Sequence, residues 1–215
     1  MRPPLSRVTR ARSGGLRVVL YHHLTDHPDE LVDELRVSTP PALFEEHLEH
    51  FARRYNVVDL DQVLDGRLPS RALLITFDDG YRSVLDVAAP LLRRHGLPSV
   101  FFVSAAFVTP GSLPLDNLLC LLSHRVGPAE LETALTGRPA EKQSLGELLD
   151  VVGGMAYERR VRLADELAAR FDVDRARVRD ESGLFLDAAE LPRLSEFEIE
   201  VANHTRSHLH CRAIA

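Results

Sequence analysis

From Leu16 onward, short apolar runs alternate with stretches whose apolar residues recur every three or four positions. L-R-V-V-L-Y at 16–21, Y-N-V-V-D-L at 55–60, L-L-I-T-F at 73–77 and S-V-F-F-V-S at 99–104 read as strands. Between them, residues 41–54 and 81–95 read as helices. In the first of these, Leu43, Phe44, His47, Leu48 and Phe51 form one apolar stripe that predicts a buried face. Strands alternating with helices of about 10 to 15 residues predict a parallel sheet or barrel, because parallel neighbours need a crossover.

After Thr109-Pro110-Gly111 the pattern changes. Residues 115–182 carry no strand pattern and read as helices, most clearly over 157–171, where Val161, Ala164, Leu167, Ala168 and Phe171 line one face. A helical insertion is therefore expected at about 112–185. The strand pattern returns with F-E-I-E-V-A at 197–202. Asp187-Ala188-Ala189-Glu190 before it has the form of a capped helix start, and Pro192 predicts that this helix is short or kinked.

The totals narrow the classes of function. The 215 residues are 45% apolar, enough for one domain with a sizeable core, and the formal charge of -6 argues against nucleic acid as the main partner. Cys120 and Cys211 stand far apart and in no CxxC pair, so any metal is expected to use histidine and carboxylate. Residues 1–15 form a basic tail without the apolar run of about 7 to 15 residues that a secretory signal needs. No stretch approaches the roughly 20 apolar residues of a membrane span. These features predict a cytoplasmic location and a mobile tail, followed by a single domain over 16–215.

Three polar clusters fall at predicted strand ends: Tyr21-His22-His23, Thr76-Phe77-Asp78-Asp79-Gly80, and Asn203-His204-Thr205-Arg206-Ser207-His208. In a parallel α/β fold the carboxyl ends of the strands share one face, so the clusters are expected to converge. On a helical turn, His204 and His208 would present both imidazoles to one side. Two imidazoles and a carboxylate make a donor set suited to zinc or another divalent ion, with a position left for water. For an isolated HxxxH pair, however, a solvated helix face is the commoner reading. Asp78-Asp79-Gly80 can likewise be read as a turn with a helix cap. Capping needs one oxygen, though, and a cation would relieve the repulsion between adjacent carboxylates, one ligating it while the other serves as a general base. His22 and His23 read as pocket lining or as ordinary hydrogen-bonded strand-end residues. His47, His50, His95 and His124 read as structural.

T-F-D-D-G-Y at 76–81, followed about 125 residues later by N-H-T-R-S-H at 203–208, resembles the first two motifs of the polysaccharide deacetylase family, also called the NodB-homology domain or carbohydrate esterase family four. V-V-L-Y-H-H-L at 18–24 is similar to that family's first strand. The resemblance extends over residues 17–108 and 184–210. It implies a distorted (β/α) barrel and a metal-dependent N-deacetylase acting on glycans that contain N-acetylglucosamine, or on their precursors. By motif position it implies Asp78 as general base, Asp79, His204 and His208 as metal ligands, and the Tyr81 backbone N–H as an oxyanion donor. His22, His23 and Asn203 would line the pocket. The implied ion is zinc, with cobalt, nickel, manganese or magnesium as alternatives. The family often works outside the cytoplasm, which stands against the location predicted above.

Beyond residue 210 the resemblance ends, and about five strands are expected where such a barrel has seven or eight. The family's later motifs, which supply an arginine that orients the base and a histidine that acts as general acid, are not seen. This predicts a truncated or split product with exposed strand edges and little activity alone, completed by a missing C-terminal segment or a partner chain. Alternatively, the acid comes from His22, His23 or His210. A non-enzymatic metal-binding or receiver-like module is the reading from another class, and the histidine pair speaks against it.

Overall fold

The computed structural model describes residues 15–141 and 144–208. The basic tail, apart from Gly15, lies outside them, as do His210 and Cys211. The strands are β1 (Arg17–Tyr21), β2 (His23–Leu24), β3 (Ser38–Thr39), β4 (Asn56–Val57), β5 (Ala72–Asp79), β6 (Ser99–Val103) and β7 (Ile199–Asn203). The main sheet has five strands in the order β1-β5-β6-β7, with β4 pairing with the start of β5, and every pairing in it is parallel. β2 and β3 form a separate two-stranded ribbon. This is the expected α/β architecture. β1 and β7 are its outer strands.

The register sets the levels at which chemistry can meet. Tyr21 lies opposite Phe77, Asp79 opposite Val103, and Val103 opposite Asn203. His22 therefore follows β1 at the level of Asp78, and His204 leaves β7 one residue beyond the level of Asp79. The carboxyl ends of β1, β5 and β7 gather the three polar clusters on one rim, as parallel pairing requires.

Leu73, Ile75, Phe77, Phe101, Val103 and Ile199 are buried in the large core on one face of the sheet. Helix α1 (Pro41–Arg54) covers part of that face: Phe44 meets Tyr21 edge-on with ring centroids 4.9 Å apart and Phe77 at 5.8 Å. Its buried residues are Phe44, Leu48 and Phe51, whereas Leu43 is 42% exposed. The buried stripe is thus one residue narrower than expected, because Phe44, Leu48 and Phe51, spaced by four and three, already fill the contact with the sheet. His47 is half-buried, with Nδ1 2.9 Å from the Tyr21 hydroxyl. The other sheet face is thinner: Ala72, Leu74 and Val100 pack with Val58, while Val18 and Leu20 on β1 are 55% and 51% exposed.

Short helix α2 (Leu60–Leu64) begins with a reciprocal cap between Asp59 and Gln62. Residues 81–95, expected as one helix, divide into a π turn at Val84–Ala88 and helix α3 (Ala89–His95). Pro90 lacks the N–H that would bond Asp86 in a continuous α-helix, which accounts for the wider turn before it. After β6 come α4 (Ala105–Val108), α5 (Leu115–Val126), α6 (Pro128–Thr136), α7 (Leu145–Gly153), α8 (Tyr157–Arg170) and α9 (Arg175–Ser182). On α8 the buried residues are Arg160, Leu163, Ala164 and Leu167, and Val161 is 43% exposed. The buried stripe is shifted by one position from the expected one, with an arginine inside it. The helix before β7 is a 3-10 helix, Ala188–Phe197, with Pro192 inside and a capping box between Asp187 and Glu190. Among the described residues no helix is long and apolar enough to cross a membrane.

Candidate metal centre

β5 runs through both aspartates and ends at Asp79. A regular strand sends adjacent side chains to opposite faces. Asp79 breaks that alternation with φ of 81°, a left-handed conformation unusual for a residue with a side chain. The Asp79 carbonyl accepts a 2.9 Å bond from the Ser104 N–H, which holds the turn against β6. Gly80 follows where only a glycine fits: a Cβ there would stand 2.5 Å from Phe107 Cβ and 3.0 Å from Val108 Cγ1. The sequence Asp-Asp-Gly is thus a strand end turned sharply against α4, with both carboxylates on its rim.

Tyr81 is buried, and its hydroxyl lies 3.3 Å from Asn117 Nδ2. An antiparallel bridge pairs Tyr81 with Phe185 through the Gly80 carbonyl and the Arg82 N–H, which bond Leu186 and Leu184 respectively. In that pattern the Tyr81 N–H points away from Phe185.

On the other side, residues 204–208 form an irregular loop. The helical turn expected for His204 and His208 is not formed, because Thr205 has φ of 65° and His208 φ of 51°. Asn203 Oδ1 accepts the Thr205 N–H at 2.6 Å, closing an Asx turn, and the Arg206 carbonyl accepts the Ala106 N–H at 2.9 Å. The loop is thereby fastened to α4. It still brings the two imidazoles together, with ring centroids 5.3 Å apart.

His204 Nε2 stands 3.8 Å from both Asp78 Oδ2 and Asp79 Oδ1, and His208 Nε2 is 3.1 Å from Asp79 Oδ1. Asp79, His204 and His208 each offer one ligand atom, all within 4.8 Å of one another. Ligands held at about 2.0 to 2.1 Å around a tetrahedral zinc lie about 3.3 Å apart, so this trio fits a small divalent cation after a modest contraction. Asp79 is 3% exposed, and its Oδ1 is buried without a hydrogen-bond donor. Leaving such an atom unmatched is costly, and a cation is the partner its chemistry calls for.

The electrostatics agree with that fit. Burial pushes the Asp79 carboxyl up to about 6, with the His208 charge opposing and the Asp78 and Asp116 charges adding to the rise. For His204, burial lowers the pKa despite the attraction of Asp78. Burial also disfavours charged His208, but contact with Asp116 and the charges of Asp79 and Asp116 outweigh it and raise the pKa. A divalent ion among these groups would favour ionised Asp79 and neutral imidazoles.

His22 borders the site: burial lowers its pKa, and the charges of Asp78, His208 and His204 act on it in that order. His23 faces elsewhere. Its Nδ1 lies 2.9 Å from Ser83 Oγ, which also accepts the Leu24 N–H, and its ring sits 5.1 Å from the Tyr81 ring. Asn203 builds the Asx turn. Two groups at the site escaped sequence reasoning: Asp116 on α5, whose Oδ2 is 3.3 Å from His208 Nδ1, and Arg160 on α8, whose Nη2 is 3.3 Å from Asp116 Oδ1. Asp116 reads locally as an acid in the first turn of a helix, where carboxylates are common for reasons of dipole alone. Nothing in the local pattern marks Arg160.

A family model described as polysaccharide deacetylase matches residues 65–131, a span that includes Asp78, Asp79, Tyr81 and Asp116 but not the two histidines. No curated protein matches the chain. Among solved structures, a de-N-acetylase from Aggregatibacter actinomycetemcomitans is 27% identical over 46% of this chain and 41% of its own, with a TM-score of 0.40. IcaB from Ammonifex degensii is 25% identical over 53% of this chain and 51% of its own, with a TM-score of 0.38. The Streptococcus pyogenes deacetylase PplD, solved with acetate, is 17% identical over 71% and 80%, with a TM-score of 0.40. The chain spans about half the length of the first two structures.

Proposed function

We propose that this chain, which matches a polysaccharide deacetylase family model over residues 65–131, is a metal-dependent hydrolase that removes N-acetyl groups from glycans containing N-acetylglucosamine or from their precursors. The observation that carries this reading is the meeting of Asp79 Oδ1, His204 Nε2 and His208 Nε2 beside the second carboxylate, Asp78. Asp79, His204 and His208 would hold a divalent ion, zinc being the best match to two imidazoles and one carboxylate. When bound, the ion polarises the acetamide carbonyl and makes water more acidic.

The chain's own residues then divide the work. Asp78 lies 3.8 Å from His204 Nε2 and is partly exposed on the rim, so it can reach a water that the ligating Asp79 cannot serve. It takes a proton as the water oxygen bonds to the acetamide carbon. The Tyr81 N–H, directed away from Phe185, donates to the carbonyl oxygen as negative charge develops on it. Breaking the C–N bond then requires a proton on the departing nitrogen, and the Asp78 carboxyl now carries one. The products are acetate and a free amine. His22 shapes the wall beside Asp78.

The test is acetate release from N-acetylglucosamine oligomers by the purified chain with added Zn²⁺ or Co²⁺, compared with Asp78→Asn. Loss of a general base should lower the rate by about 10² to 10⁴. Undiminished turnover in Asp78→Asn would refute the assignment of the base. Because little activity is expected of this chain alone, the reading as a whole is defeated by absence of both tight Zn²⁺ binding and acetate release on every acetylated amino sugar offered.

A further inference from the structure

We infer that Asp116 is a positioning residue for the metal centre, holding the His208 ring so that Nε2 faces Asp79, with Arg160 fixing Asp116 in turn. The inference rests on the proposed metal site and assigns the helices after β6 a part in it. Asp116 divides its two oxygens: Oδ2 lies 3.3 Å from His208 Nδ1, and Oδ1 lies 3.3 Å from Arg160 Nη2. The first contact has ion-pair length and meets a buried Nδ1. The second is backed from behind, since Arg160 Nη1 also donates to the Val152 carbonyl at 3.2 Å. Arg160 is 5% exposed, so its guanidinium has few alternative positions.

This arrangement does more than a structural ion pair does. An imidazole that ligates through Nε2 carries its proton on Nδ1, and an acceptor for that proton fixes both tautomer and ring orientation. Asp116 is the carboxylate at that nitrogen. His208 also sits on an irregular loop at φ of 51°, so no helix fixes its direction. Its ring is bounded on one side by Phe107, edge-on at 5.4 Å, and at Nδ1 by Asp116. Asp116 itself stands in the first turn of α5, where the helix favours a negative charge. Three helices thus contribute to one ligand's orientation: α5 through Asp116, α8 through Arg160 and α7 through the Val152 carbonyl.

The test measures Zn²⁺ affinity of the full chain by competition with a chromophoric chelator, together with the visible absorption of the Co²⁺ form. Asp116→Asn should bind Zn²⁺ about 10- to 100-fold more weakly, the usual effect of losing such a partner, and should shift the Co²⁺ bands. Because Asp116→Asn leaves a buried guanidinium without its charge partner, a second variant, Asp116→Leu with Arg160→Met, removes both charges and should keep the fold. It should show the same loss of affinity. Wild-type Zn²⁺ affinity and Co²⁺ spectrum in either folded variant would overturn the inference. His204→Ala separates this from the site itself. If it abolishes tight binding while the Asp116 variants bind normally, only the positioning role is wrong; if it too binds normally, the metal centre and the inference fall together.

Discussion

β5 and α8 are built from comparably regular patterns, yet they bury their residues by different rules. In β5 every residue from Ala72 to Phe77 is buried, because the strand has parallel neighbours on both sides and packing on both faces. Its side-chain directions follow from a period of two and from register, until φ turns positive at Asp79. In α8 only a stripe is buried, and the stripe includes an arginine while leaving Val161 in solvent. A strand locked between two others has no freedom to rotate about its axis. A helix does, and a partner as specific as Asp116 for Arg160 can outweigh one valine's preference for the interior.

Paired substitutions on α8 give the sharpest test of that difference. Leu167→Ala should cost about 3 kcal/mol, since it removes a fully buried side chain and leaves a cavity. Val161→Ala, one of the residues expected to share its face, should change stability by less than about 0.5 kcal/mol. Urea denaturation measures both. Equal losses at the two positions would show that the buried face is the one read from the sequence and not the one lined by Arg160, Leu163, Ala164 and Leu167.

At the end of β5 the constraint is steric. Gly80→Ala places a methyl group 2.5 Å from Phe107 Cβ, and that neighbour is attached directly to the backbone of α4 and cannot swing aside. A cost of about 2 kcal/mol is expected, with weakened Zn²⁺ binding because α4 also fastens the Arg206 carbonyl of the histidine loop. Unchanged stability and Zn²⁺ affinity would mean that the turn after Asp79 is looser than this packing implies.

The pattern that was legible from sequence is the pattern that sheets enforce. Strands β1, β5, β6 and β7, the convergence of Asp78, Asp79, His204 and His208, and the capped start at Asp187 all follow from local periodicity or from the rule that parallel strands share a carboxyl end. The conformation of the histidine loop did not follow, because Asn203 captures the Thr205 N–H and turns Thr205 left-handed, a competition between side chain and backbone that an i,i+4 spacing does not reveal. Asp116 and Arg160 were illegible for another reason. Each matches an ordinary surface role in its own helix, and their meeting with each other and with His208 depends on tertiary packing across 44 and 92 positions of chain, lengths no local window contains.

The smallest effect expected concerns the tie between these two regimes of structure, the pair Arg82–Glu190. Arg82 directly follows the Asp-Asp-Gly-Tyr segment, Glu190 belongs to the 3-10 helix that leads into β7, and their two bonds, 2.8 and 2.6 Å, join positions 108 residues apart. The Arg82 hydrogen bond holds the Glu190 carboxyl down at about 2, helped by the Asp187 N–H and opposed by burial. Because the folded value lies below the ordinary one near 4.5, unfolding takes up a proton at acidic pH. The stabilisation is therefore fully present above about pH 4.5 and is lost as pH falls through 4.5 towards 2. The pair is partly solvated, with side chains 30% and 23% exposed, which limits its worth to about 1 to 2 kcal/mol. Glu190→Gln should cost that much at pH 6 and only a small fraction of it by pH 2. Other carboxylates titrate in the same range, so the quantity to follow is the difference between wild type and Glu190→Gln in denaturation free energy at each pH. That difference should close as the solution is acidified; a gap that stays constant with pH would show that Glu190 acts through its shape or its capping bond to Asp187, and that charge does not tie β5 to β7.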